Sequence, residues 1–68
     1  MNNIIKVIVN YNNQEKTIEI EENSTVNNLI NLMDLEDVLI VKSGEILSDD
    51  DILKNNDKLR ILPVVSGG

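Results

Sequence analysis

The chain has 68 residues and a formal charge of −6, from 12 acidic and 6 basic side chains, and contains neither cysteine nor histidine. One small domain is all that this length supports, and its core must use nearly every strong apolar position, because so short a chain hides only about 60% of its surface on folding. The composition excludes disulfides, thiolate metal sites and a cysteine nucleophile, removes the usual near-neutral general base, and sets an acidic surface against nucleic acid, whose binding depends on phosphate neutralisation by Lys and Arg. Taken in chain order, the first element is "NIIKVIVNY", β-branched and bounded by Asn, which reads as a strand with Ile5, Val7 and Val9 on one face and Ile4, Lys6 and Ile8 on the other. "YNNQEK" is polar turn chemistry, and "KTIEIEE" then alternates, with Ile18 and Ile20 inward and Glu19 and Glu21 in water. Together these segments predict a hairpin.

In "NSTVNNLINLMDL" the residues Val26, Leu29, Ile30 and Met33 follow the spacing of one helical stripe, with Ser24 or Thr25 available as N-cap. The predicted helix is about two to three turns long, and its Asn content is poor helix chemistry, so it must lean on a sheet. Asp34, Glu36 and Asp37 follow as a solvated loop. "DVLIVKSGEIL" is a further apolar run broken at Ser43-Gly44, with Ile46 and Leu47 resuming beyond the turn. "SDDDILKNND" reads as a loop holding one helical turn, capped by Ser48, with acids in its first turn and Ile52 and Leu53 inward. Its acids lack the spacing, central Gly and closing Glu of a calcium loop, so no metal site is expected there. The last run, "KLRILPVV", places Leu59 and Ile61 on one face and Arg60 and Leu62 on the other. Pro63 lacks the N–H of a central ladder, so regular pairing is expected to weaken there and the rest of the chain to leave the domain.

The order strand, strand, helix, strand, short strand, helical turn, strand is an α+β arrangement. No apolar run approaches the roughly 20 residues of a membrane span, and "MNNIIKVIVN" has neither a charged region ahead of its apolar stretch nor a small-residue cleavage site, so a cytoplasmic protein is expected. The chain closes on Gly67 and Gly68, which lose more freedom on ordering than other residues and are expected to fray unless something outside their own fold needs them.

This order, with "TIEIEENSTVNNLI" and "SGEILSDDDILKNNDKLRIL" in the body and "ILPVVSGG" at the end, resembles the β-grasp of ubiquitin-like proteins over nearly the whole chain. The "GEI" turn and the proline and small residues ahead of the diglycine look most like the sulfur carriers ThiS and MoaD. Ser43-Gly44 stands where thiamin-type carriers often have Asn-Gly, and the near absence of aromatics favours the ThiS-like branch over MoaD. Archaeal ubiquitin-like small modifiers share the same short body and tail. The resemblance implies a mixed four- to five-stranded sheet packed on one helix over residues 1–62, and an extended tail over 63–68. It further implies that the protein is a cosubstrate and not an enzyme. The Gly68 carboxylate would be adenylated by a ThiF/MoeB-like enzyme using ATP and magnesium, then converted by a sulfur donor to a thiocarboxylate for a downstream synthase. A conjugated protein modifier and a β-grasp interaction module that is never activated are the alternatives.

Pro63, Val64, Val65, Ser66 and Gly67 would form the slender lead to Gly68, reaching at most about 20 Å from the body. Proline limits backbone freedom upstream, and two residues without Cβ keep the tip narrow enough for an enclosed site. On the sheet, Ile4, Ile8 and Leu62 must point away from the helix, joined by Leu39 or Val41 depending on register. That patch, with Arg60 orienting it, is the expected docking surface for the adenylating enzyme. Lys6, Lys42, Lys54 and Lys58 read most simply as surface solubilisers. No bound cofactor, nucleic acid or membrane is expected, and the free protein should be a monomer.

Overall fold

Alternation in the first apolar run translates directly into burial: Ile5, Val7 and Val9 are buried, whereas Ile4 and Lys6 are exposed. The structure is a computed structural model that describes residues 3–64. Its elements are β1 (Ile4–Tyr11), β2 (Gln14–Glu21), α1 (Val26–Leu32), β3 (Val38–Lys42), β4 (Glu45–Ile46) and β5 (Asp57–Pro63). The five strands form one mixed sheet in the order β2-β1-β5-β3-β4, so the fold is the expected β-grasp. β1 and β5, the chain's first and last strands, run parallel at its centre, and every other pairing is antiparallel.

The hairpin is tighter than the polar composition of "YNNQEK" suggests. Asn12 and Asn13 both have positive φ, 53° and 61°, which is the backbone of a two-residue turn matched to strand twist. Pairing therefore begins at Tyr11 opposite Gln14, and Gln14, Glu15 and Lys16 belong to β2. Ser43 and Gly44, at 51° and 81°, make the corresponding turn between β3 and β4.

A helix of 7 residues is too short to persist alone, and α1 is held from both ends and one side. Thr25, and not Ser24, is its N-cap. The Thr25 hydroxyl oxygen accepts from the Asn28 N–H at 3.2 Å, and the Asn28 side-chain oxygen accepts from the Thr25 N–H at 2.9 Å. The two remaining free N–H groups of the first turn, Val26 and Asn27, donate to the carbonyls of Asp51 and Asp49 at 2.9 and 3.1 Å. At the other end Asp34 takes φ 56°, and the N–H groups of Asp34 and Leu35 close back on the carbonyls of Asn31 and Ile30. The Asn residues that weaken the helix by propensity thus supply part of its cap.

Val26 and Leu29 of α1 join Ile5, Val7, Val9, Ile20, Ile40, Leu53, Leu59 and Ile61 in one buried core. Ile30 and Met33 complete the predicted stripe as half-buried neighbours. Among the described residues no polar or charged side chain is buried.

Two expectations fail in the second half of the chain. Residues 48–51 form a single β-turn, closed by the Asp51 N–H donating to the Ser48 carbonyl at 3.1 Å. Ser48 does not cap a helical turn; its own N–H donates to the Asp51 carboxylate at 2.7 Å. The same device recurs at once, with Lys54 N–H donating to the Asp57 carboxylate and Asp57 N–H to the Lys54 carbonyl. Between the turns the chain is extended and bridges Ile52 to Thr25, which buries Leu53 but leaves Ile52 exposed. Pro63, moreover, does not end the pairing: it lies opposite Val38, and the next residue, Val64, donates its N–H to the Asp37 carbonyl at 2.8 Å. Successive backbone N–H groups of a strand point to opposite edges, so the missing donor of Pro63 faces the side where β1 has already ended.

Lys42 departs from its reading as a surface solubiliser. Its ammonium lies 2.9 Å from the Asp57 carboxylate, whose side chain is only 10% exposed. Two variants probe this arrangement. Leu29→Ala is expected to cost about 2–5 kcal/mol in urea unfolding, because it leaves a cavity at a fully buried helix position. Asp57→Ala, which removes both the ion pair and the turn bond to Lys54, is expected to cost about 1–2 kcal/mol in the same measurement.

Candidate functional site: the outer sheet face and the exit of the last strand

The helix covers one face of the sheet, so alternate residues of every strand form an outer face left uncovered by the described residues. Register decides which of them meet. Leu39 lies opposite Leu62, and Val41 lies opposite both Arg60 and Ile46. Because Ile40 is buried between them, Leu39 and Val41 share the outer face, and the alternative left open by the sequence resolves as both. Leu39, Leu62 and Ile46 are exposed, and Val41 is half-buried among them. The result is an apolar strip across β5, β3 and β4.

Cations border this strip on the β1 side. Arg60 stands between Asn10 and Val41, and Lys58 lies beside Ile8. Ile8, Val41, Lys58 and Arg60, with Glu15 at the β2 side, line a shallow trough of about 350 Å³ that ends at the Ser43-Gly44 turn. A partner surface carrying aliphatic side chains with carboxylates beside them would complement it in both shape and charge. Ile46 and Lys58 were not among the residues predicted for this patch. The two-residue turn at Ser43-Gly44 fixes Ile46 opposite Val41 and is itself readable in the sequence; the place of Lys58 depends on the parallel register of β1 and β5, which is not.

Ile4 stands apart. In the parallel register Asn10 is level with Arg60, so Ile4 lies about eight residue levels from Leu62, on the order of 26 Å along the strands. Its cross-strand neighbour is Glu21, and it borders a different hollow. The predicted patch therefore gathers Leu39, Val41, Arg60 and Leu62, reaches Ile8 through the trough, and excludes Ile4.

Leu62 links this face to the end of the chain. It is followed directly by Pro63 and Val64, which the edge of β3 holds at Val38 and Asp37. Two of the six residues read as tail are thus fixed against the sheet at the Leu39 end of the outer face. Val65, Ser66, Gly67 and Gly68 lie outside the described residues. The acids of 49–51 serve the fold in ways already seen: the Asp51 carboxylate closes the turn, and the carbonyls of Asp49 and Asp51 receive the helix N–H groups.

Comparison with solved structures places this geometry among ubiquitin-like domains. An N-terminal ubiquitin-like domain solved in solution superposes with a TM-score of 0.78 at 21% identity, covering 96% of this chain and 79% of that one. A ubiquitin-like domain of Arabidopsis thaliana gives a TM-score of 0.73 at 18% identity, with 96% and 83% covered. Caldiarchaeum subterraneum ubiquitin gives 0.71 at 16% identity, with 97% and 100% covered. At these identities the likeness establishes the fold. The family is established by sequence, since the ThiS family model matches residues 4–68, from the first strand through both terminal glycines, and the chain accordingly belongs to the ThiS family of small carrier proteins.

Proposed function

We propose that this protein is a sulfur carrier whose reacting group is the carboxylate of Gly68. The observation that carries the reading is that the family match runs through the diglycine while the strand leading to it, β5, also builds the apolar, cation-bordered outer face. An enzyme that grips this face also meets Pro63 and Val64, which are held against β3 and its lead-in residue Asp37.

In this reading the Gly68 carboxylate attacks the α-phosphorus of ATP on a ThiF/MoeB-like partner, with magnesium balancing the phosphate charge, and pyrophosphate leaves. A sulfide-level donor then adds to the acyl-adenylate carbonyl and displaces AMP, leaving a thiocarboxylate for a synthase of thiamin or related cofactor biosynthesis. The protein supplies no general acid or base to these steps. It supplies a recognisable body and a terminus slim enough to reach the nucleotide.

Incubation with ATP, magnesium and a cognate activating enzyme, followed by intact mass measurement, tests the reading. A mass gain equal to exchanging one oxygen for sulfur supports it, covalent ladders on other proteins would make the chain a conjugated modifier, and neither product would leave an interaction module. Deleting Gly68 should abolish product while leaving the melting temperature nearly unchanged, since the buried core ends at Ile61. Leu62→Asp should raise the KM of the activating enzyme for the carrier by about tenfold or more, with the domain still folded, because it sets a carboxylate in the apolar strip directly beside Leu39. Activation of that variant at the parental rate would remove the outer face from the docking surface.

A further inference from the structure

β2 is an edge strand of 8 residues, and among the described residues nothing pairs with its far side. Which of its backbone groups face outward follows from β1. Lys6 directs its N–H to the Asn55 side chain and its carbonyl to the Asn56 N–H, both away from β2. Residues opposite one another in an antiparallel pair share this sense, so Glu19, opposite Lys6, presents both its N–H and its carbonyl to the open side. By the same alternation Glu15, Thr17 and Glu21 also face outward, and the Glu21 carbonyl is taken by Ser24. Thr17 and Glu19 therefore offer two consecutive open positions of a ladder.

Side chains along this edge divide by face. On the outer face stand Glu15, Glu19 and Glu21, three carboxylates among alternate positions of one strand. Next to the Glu19–Glu21 end is a hollow of about 410 Å³, bordered by Ile20, Asn28 and Leu32 on the helix side and by Ile4 on the other. Leu32 and Ile4 are 57% and 55% exposed, among the most exposed large apolar residues described, and both lie at this hollow. Ile4, which the docking face excludes, thus belongs to a second surface.

We propose that this edge binds an extended segment of a partner protein as an added strand, with lysine or arginine alternating with aliphatic residues. Its backbone continues the ladder at Thr17 and Glu19. Its cations lie over Glu15, Glu19 and Glu21, and its aliphatic side chains pack on Leu32 in the hollow beside α1. A second copy of β2 does not fit the same place, because antiparallel pairing of two such edges sets carboxylate columns against each other. The proposal is independent of sulfur transfer, and its Glu19–Glu21 end lies apart from the outer-face trough, which Glu15 also lines.

The test uses the full chain and a capped peptide of alternating lysine and valine as long as β2. Binding should shift the amide resonances of β2 and Leu32 and slow hydrogen exchange at Thr17 and Glu19 by about tenfold or more. Glu19→Lys with Glu21→Lys should weaken the peptide by about tenfold or more, as like charges replace opposite ones. The same peptide with glutamate for lysine, or with every backbone amide N-methylated, should not bind. Unchanged exchange at Thr17 and Glu19 with peptide in excess, or equal binding of the N-methylated peptide, would overturn the proposal.

Discussion

Parallel pairing of the first and last strands is the constraint from which the rest of this molecule follows. A hairpin cannot join parallel neighbours, so everything between β2 and β5 must cross from one side of the sheet to the other. The crossing buries Leu29 and Val26 on one face and returns β3 and β4 to the sheet beyond β5. It also makes β5 a central strand, paired with β1 from Asp57 to Arg60 and with β3 from Arg60 to Pro63, so that its last residues are left with β3 alone.

So short a chain cannot spare residues for long connections, and its turns are correspondingly tight. Asn12, Asn13, Asn23, Asp34, Asp37, Ser43 and Asn56 all hold positive φ without being glycine. Short polar side chains tolerate that backbone better than others do. Two carboxylates, Asp51 and Asp57, add a local bond that ties the fourth residue of a turn to the N–H of the first. The abundance of Asn and Asp, costly for a helix, is what lets the connections be brief.

The two free surfaces differ in physical character. The outer face near Leu62 is apolar with cations beside it, whereas the β2 edge is acidic with open backbone groups. Each suits a different kind of partner, and they adjoin at Glu15 while Glu19, Glu21 and Leu32 lie apart from Leu62.

The sequence by itself determined the strands, because strict alternation puts Ile5, Val7 and Val9 or Leu59 and Ile61 on one side whatever they pair with, and it determined the helix stripe and the sharp turn at Ser43-Gly44 for equally local reasons. The terminal pattern that marked the family was legible in the same way. Only the tertiary structure decided register, and with it that Leu39, Val41 and Arg60 join Leu62 while Ile4 is about eight levels away. It also decided the segment around Ser48, where a cap and a carboxylate-closed turn use the same residues at the same spacing; the pairing of Thr25 with Ile52 holds the chain extended there. Pro63 stays in the ladder for a similar reason: what matters is which edge its missing N–H faces, and that depends on where a strand more than fifty residues earlier happens to stop.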